Sequence, residues 1–218
     1  KKNLASVVTS IGLDHLDWLP ENEQTVKKII YEKTSTLLNS NIIVAKQSSK
    51  KILDEIKKTI SNNQSQKKNF NEDYNYSLNE DNYFYYEDEI SRMKLPSPNV
   101  NGQFQFENIS TAIATLRSIK QFKIKEENIK LGITKIHSIA RLQEINKGKL
   151  KDLIKNNRLL VDGSHNPLGA KVLNEYLKSL DCKKHIILGM MANKNHQEFF
   201  SYFKDISSLT TIDIPNQP

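Results

Sequence analysis

The spacing of apolar and polar positions changes several times along this 218-residue chain, and each spacing predicts an element. Ala5 to Ile11 is a short, nearly continuous apolar and β-branched run ended by Gly12, the pattern of a strand buried on both faces. Pro20 then opens a helix that carries Val26, Ile29 and Ile30, with Lys33 a turn further on. Ile42 to Lys46 repeats the buried-strand pattern. Ile52, Ile56 and Ile60 recur four residues apart, so Ser48–Ile60 predicts an amphipathic helix with a lysine-rich outer face. Residues 61–70 are polar without a period and predict a loop. Tyr74–Leu78 and Asn82–Tyr86 predict the two strands of a hairpin around Asn79-Glu80-Asp81.

After the breaks at Pro96 and Pro98, the segment Gly102–Asn108 leads into a helix whose predicted core face is Ile109, Ala112, Ile113, Leu116 and Ile119. Asn108 stands where an N-cap would. A shorter helix, Glu126–Ile136, follows. Near residue 140 the organisation changes to strand, strand, helix, strand, helix: Leu142–Ile145, Arg158–Asp162, a helix opened by Pro167, His185–Leu188, and His196–Lys204. The pattern is that of two α/β domains, 1–140 and 141–218, the second smaller. Ile212-Asp213-Ile214-Pro215 reads as a strand cut short, so the second domain is expected to be truncated.

Composition narrows the possibilities. No apolar run approaches the ~20 residues of a membrane span. A single cysteine, Cys182, excludes an internal disulfide and suits a reducing cytoplasm. The net charge of +7 is dispersed along helices rather than gathered in a patch. The aromatic cluster Tyr74, Tyr76, Tyr83, Phe84, Tyr85 and Tyr86 is interleaved with acids that would repel a phosphate backbone. It predicts half-buried strands with a solvated acidic face, and no nucleic-acid partner.

Chemistry-bearing residues collect at strand ends. Asp162-Gly163-Ser164-His165-Asn166-Pro167 places a carboxylate and an imidazole in a tight turn between a strand and a helix, a usual ligand position in an open α/β sheet. Leu13-Asp14-His15-Leu16-Asp17, just past the first strand, sets two acids and a histidine where a divalent cation could be held.

In this order, five segments resemble the dihydrofolate synthase/folylpolyglutamate synthase family of the Mur-ligase superfamily. Thr9 to Leu19 is similar to the family's histidine-containing metal loop. Tyr31-Glu32-Lys33-Thr34 stands for Glu-Lys-Ala-Gly, and Gly102–Asn108 for Gly-x-His-Gln-x-x-Asn. Ala140-Arg141 matches the interdomain Gly-Arg, and Asp162–Pro167 matches Asp-Gly-Ala-His-Asn-Pro. The resemblance implies an α/β fold: part of a Mur-ligase-type central ATP-binding domain, followed by a smaller Rossmann-like C-terminal domain.

The resemblance also implies an ATP-dependent ligase of folate biosynthesis and one-carbon metabolism. It would join dihydropteroate or a folate to L-glutamate through an acyl phosphate, as a cytoplasmic monomer. His15 would ligate Mg²⁺ at the ATP phosphates. Lys33 would add CO₂ and hold a second Mg²⁺ as the carbamate. Asn108 would bind the adenine, with Gln105 in the same loop. Arg141 would reach the phosphates and Asp162 the ribose, while His165 would lie near the phosphates and the incoming amino acid. Two further readings stand beside this one: a peptidoglycan-precursor ligase of the same superfamily, and a nucleotide-binding module without catalysis.

The departures from the family pattern are Phe104 for His, Thr34-Ser35 for Ala-Gly, Ala140 for Gly, and Asn193 and Asn195 for two Asp. The family's phosphate-cradling P-loop has no counterpart among the seven glycines; Gly163 to Gly169 falls in the turn and helix at Pro167. The expectation is that the chain is a fragment, begun partway through the ATP-binding domain, and that alone it does not hydrolyse ATP.

Overall fold

A computed structural model describes residues 3–12, 19–35, 37, 40–80 and 83–215. Within these the chain divides into two compact units. The first takes in the described residues up to Asn99 together with Gln103–His137. The second comprises Val100–Gly102 and the chain from Ser138 onward.

The first unit is built on a parallel sheet of β1 (Ala5–Val8), β2 (Asn41–Val44) and β3 (Lys67–Asn69), in that order. Parallel neighbours require crossovers, and helices α1 (Val26–Thr34) and α2 (Lys50–Thr59) supply them. Ile42, Ile43 and Val44 of β2 are all completely buried, as the central strand of a covered parallel sheet requires.

An antiparallel sheet follows: β4 (Tyr74–Leu78), β5 (Tyr83–Asp88) and β6 (Arg92–Pro96), with β5 in the middle. Cross-strand pairs Tyr76–Tyr86 and Ser77–Tyr85 fix the register of the hairpin. Asp81, expected in the turn, and Asn82, expected in the second strand, lie outside the described residues. Helix α3 (Gln103–Ser118) packs on β1, β2 and β4, and α4 (Glu126–Thr134) on β6.

Tyr74 joins the two sheets. Its hydroxyl donates to the Val44 carbonyl at 3.0 Å and lies 3.1 Å from Thr111 Oγ1 of α3. Burial pushes this phenol up to about 12, so it remains a donor throughout the physiological range.

The second unit holds β7 (Gln143–Glu144) antiparallel to β8 (Leu160–Val161), and β9 (His185–Leu188) parallel to β10 (Ser208–Thr211). Helices α5 (Lys149–Ile154), α6 (Pro167–Lys178) and α7 (His196–Ser201) complete it. Ala170, Phe199 and Phe203 form its buried centre, with Leu173, Leu177, Ile186 and Leu188 packed around them. None of the described helices is long and apolar enough to cross a membrane.

Several expectations need correction. Residues 61–70 are not all loop: Lys67–Asn69 form β3, where backbone pairing to β2 overrides a polar sequence. Pro20 opens only a 3₁₀ turn, Glu21–Glu23; α1 starts later because the Thr25 side chain caps the Lys28 amide. Strands β6 and β10 and helix α5 had no counterpart in the sequence pattern, and Ile212–Pro215 lies beyond β10 rather than forming a strand.

Helix α3 begins at Gln103, so Asn108 lies inside it and caps nothing. Its buried face is Ile109, Ser110, Ile113 and Ala114; Ala112 and Leu116 are exposed. Nor is the acidic face of the aromatic strands wholly solvated: the Asp88 side chain is 0 % exposed and paired with Arg117.

Candidate functional site

The candidate residues fall into two groups, one in each unit. In the second unit the strand-to-helix turn after β8 is clamped by Asp162. One carboxylate oxygen accepts from the Leu142 amide at 2.8 Å, the other from the Ser164 amide at 2.9 Å. The Gly163 amide donates to the Ala140 carbonyl at 2.8 Å. These bonds hold Ala140-Arg141-Leu142 against the turn, and Arg141 Nη1 lies 3.4 Å from where a Cβ on Gly163 would be.

Asn166 caps α6, its side chain accepting from Gly169 N at 2.8 Å, and Pro167 follows at the first helical position. A Cβ on Gly169 would come within 2.9 Å of Ser164 Oγ, so glycine here lets the turn fold back onto the helix.

The structure therefore brings Arg141, Asp162 and His165 together. His165 Nδ1 is 2.9 Å from the Gly163 carbonyl. A carbonyl can only accept, so Nδ1 carries the proton and, in the neutral ring, Nε2 is the basic nitrogen. Arg141 is exposed and has no carboxylate partner among the described residues. Asp162 has given one acceptor site on each oxygen to the backbone and keeps further lone pairs for a ligand hydroxyl.

Ala140 has φ +52°, a left-handed conformation costly for any residue with a Cβ. Replacing Ala140 with Gly, the family's residue, is expected to raise stability by roughly 0.5–1 kcal/mol, the strain relieved less the added chain entropy. Urea unfolding of the two proteins measures this. An unchanged or lower midpoint would show that the Ala140 methyl makes a contact worth more than the strain.

In the first unit, the start of α3 is set by aromatic packing. Phe106 stacks on Tyr76 with ring centroids 6.0 Å apart and meets Phe84 edge-on at 5.4 Å. Tyr76 bonds the Gln103 side chain, and burial raises its phenol above the ordinary value. Lys46, two residues past β2, pairs with Glu107 at 2.6 Å.

Gln105 is buried, and its Oε1 accepts from Asn108 Nδ2 at 3.4 Å. Among the described residues its Nε2 has no partner. Tyr76, Phe106, Lys46 and Glu107 carry no recognisable sequence signal for this role. The alternation of Tyr74, Tyr76 and Phe84 marks a sheet face but not what packs on it.

The metal candidates fare differently. His15 lies outside the described residues. Lys33 is exposed in the last turn of α1. Among the described residues no group of three or more His, Cys, Asp or Glu side chains could hold a metal ion. The acids and histidine that the sequence offered for a metal ion, Asp14, His15 and Asp17, all lie outside the described residues. Asn195, one of the two departures late in the chain, caps α7 by accepting from the Glu198 amide at 3.1 Å; that is a structural use.

The fold is that of the folylpolyglutamate synthases, a Mur-ligase-type α/β arrangement. A solved FPGS–AMPPCP–folate complex superposes with a TM-score of 0.81 at 22% identity, covering 98% of this chain and 52% of that one. Escherichia coli FolC in complex with DHPP and ADP gives 0.77 at 22% identity, covering 96% and 52%.

In sequence, the chain resembles the dihydrofolate synthase/folylpolyglutamate synthase of Haemophilus influenzae. They are 23% identical over 215 residues, 92% of this chain and 46% of that protein. No family model matches. The chain thus spans about half the length of the curated relatives it matches.

Proposed function

We propose that this chain is part of an ATP-dependent ligase that joins the carboxylate of a pteroate or folate to the amine of L-glutamate. The observation that carries the reading is the turn after β8: an exposed Arg141, without a carboxylate partner among the described residues, beside Gly163, with Asp162 and His165 at the start of α6. A guanidinium beside a helix N-terminus favours a phosphate group. Similarity to dihydrofolate/folylpolyglutamate synthases over nearly the whole chain supports the choice of acceptor.

In the reaction, a carboxylate oxygen of the acceptor attacks the γ-phosphorus of ATP and ADP departs, leaving an acyl phosphate. The glutamate amine then attacks the acyl carbon, phosphate leaves, and the amide remains. Arg141 would offset charge building on the transferred phosphoryl group. Asp162 would take the ribose. His165 would serve at the phosphates and the incoming amine, with Nε2 as the nitrogen able to accept a proton. Asn108 would meet the adenine. Lys33 as a carbamate and His15 as a ligand belong to the reading through the resemblance. Such a lysine must react as the free amine, so it would require desolvation. The first unit corresponds in this reading to the ATP-binding domain and the second to the glutamate-ligase domain.

The test is phosphate release by the protein, expressed with whatever flanks this chain in its gene, with ATP, Mg²⁺ and L-glutamate. Dihydropteroate, tetrahydrofolate and a muramyl-peptide acid serve as alternative acceptors. Release should require a pterin acid and should collapse in Lys33→Ala and His15→Ala. Release only with the muramyl acceptor would move the protein to peptidoglycan-precursor synthesis. Binding of ATP without release would leave a non-catalytic module.

A further inference from the structure

We propose that Asn101 is a positioning residue for phosphoryl transfer: by holding the Leu142 carbonyl, it sets the backbone from which Arg141 leaves beside the turn after β8. The proposal rests on the ligase reading above and adds to it a residue that acts through Arg141.

Arg141 stands between two residues with left-handed backbones, Ala140 at φ +52° and Leu142 at φ +50°. Residues with a Cβ avoid this conformation, and a bulky one such as leucine is an outlier in it. Strain of this kind survives only where the surroundings enforce it. Here they do so at every backbone polar group of both residues. The Ala140 amide donates to Gln143 Oε1 at 3.0 Å, and the Ala140 carbonyl accepts from the Gly163 amide at 2.8 Å. The Leu142 amide donates to Asp162 at 2.8 Å, and the Leu142 carbonyl accepts from Asn101 Nδ2 at 2.9 Å. The Leu142 side chain is buried. What this tripeptide sends into solvent is Arg141, whose Nη1 lies 3.4 Å from where a Cβ on Gly163 would be.

Three of the four ties are local: Gly163 and Asp162 belong to the turn, and Gln143 lies three residues from its partner. Asn101 comes from 41 residues before Leu142, in the Val100–Gly102 segment of the second unit. A carbonyl only accepts, so the Nδ2 end of the Asn101 amide is the end that faces Leu142. Asp162 has a second task in the ligase reading, because the ribose is assigned to it. Asn101 has no assigned ligand, so its loss removes support from the strained backbone and nothing else. Once the Leu142 carbonyl is released, rotation about φ of Leu142 turns Arg141 first, relative to the buried leucine. A displacement of about 1 Å at a positioned group slows a reaction by as much as about 10²-fold.

The test is single-turnover phosphate release with ATP, Mg²⁺, L-glutamate and a pterin acid, by the protein with its natural flanking sequence. It compares wild type, Asn101→Ala, Asn101→Asp, Arg141→Ala and the double variant Asn101→Ala/Arg141→Ala, with thermal unfolding of each. Asn101→Ala should lower the rate by roughly tenfold, the equivalent of one hydrogen bond, and leave the KM for the pterin acid unchanged. Asn101→Asp keeps the shape but, ionised, has no N–H to donate, and should lose as much. In the Arg141→Ala background, Asn101→Ala should cost less than about twofold, because its effect passes through the arginine. Its shift of the unfolding midpoint should be the same in both backgrounds. If the alanine variant does not fold, Asn101→Asp carries the same comparison. A purely structural asparagine would lower the midpoint and leave the rate of the folded protein alone, or slow both backgrounds equally. Either result would overturn the proposal, and a large loss in Arg141→Ala beside it would leave the ligase reading intact. No release by wild type with any acceptor, or a loss under about threefold in Arg141→Ala, would overturn the proposal together with the role of Arg141 on which it rests.

Discussion

On the proposed ligase reading, Arg141→Ala in the protein carrying whatever flanks this chain is expected to lower the rate of phosphate release by a factor of about 10²–10³, the usual effect of removing one group that meets developing charge. Its fold should be unaffected. The guanidinium is exposed, has no carboxylate partner among the described residues, and reaches over Gly163 only because its neighbours are tied down. The Ala140 carbonyl and the Leu142 amide on either side are bonded to Gly163 and Asp162, and both flanking residues have positive φ. Backbone strain of this kind persists where the surroundings enforce it, and here it points one side chain at the turn.

Arg141→Lys should recover only part of the rate, because an ammonium lacks the planar fork that meets two phosphate oxygens at once. The measurement is single-turnover phosphate release alongside thermal unfolding. If the rate fell less than threefold with the midpoint unchanged, Arg141 would have no part in phosphoryl transfer.

The second large effect concerns stability. Arg117→Ala is expected to destabilise the first unit by roughly 3–5 kcal/mol, as when one partner is removed from a buried ion pair. Asp88, at the end of β5, is 0 % exposed at its side chain, and Arg117 of α3 grips it through Nε at 2.7 Å and Nη2 at 3.1 Å. Tyr86 also donates to the same carboxylate at 3.1 Å. Removing the arginine strands a charge out of water. Replacing both residues by leucine should cost less than either single loss, since no charge is then left unpaired.

The pH dependence follows from the direction of the Asp88 shift. Burial alone would raise its carboxyl pKa, but the bonds from Arg117 and from the Ile90 and Ser91 amides outweigh burial and hold it below its ordinary 3.8. A carboxyl whose folded pKa is depressed contributes stability that is present above the unfolded value and lost as pH falls through the folded one. The gap between wild type and Arg117→Ala should therefore be widest above about pH 4 and narrow below it. Chemical unfolding at a series of pH values reads this directly, and a gap that does not change with pH would remove Asp88 as the cause.

Much of the site was legible as sequence because its parts are local. A tight turn between a strand and a proline-opened helix is encoded within Val161–Pro167, and the structure puts that turn in place with Asn166 as the cap. Ile42–Val44 announced a covered strand through composition alone, and the i, i+4 isoleucines announced α2. The failures share a cause. The predicted core face of α3 was turned by part of the helix circumference, because Thr111 and Ser110 are drawn inward, Thr111 beside the Tyr74 hydroxyl. A period analysis that counts only apolar residues places polar ones outside. In the same way β3 is polar in sequence and holds its place by backbone pairing to β2.

By itself the sequence determined the α/β class, the order of strand-end loops and the residue types offered there, since these depend on local periodicity and on chain order. Only the tertiary structure decided which of those residues meet. Asp162 clamps Leu142, 20 residues away, and Asp88 is sealed by Arg117, 29 residues on. Gln105, by contrast, has a buried amide donor with nothing to meet among the described residues. Such pairings depend on how elements pack in three dimensions, and no local pattern in the chain encodes the distance between two side chains that far apart.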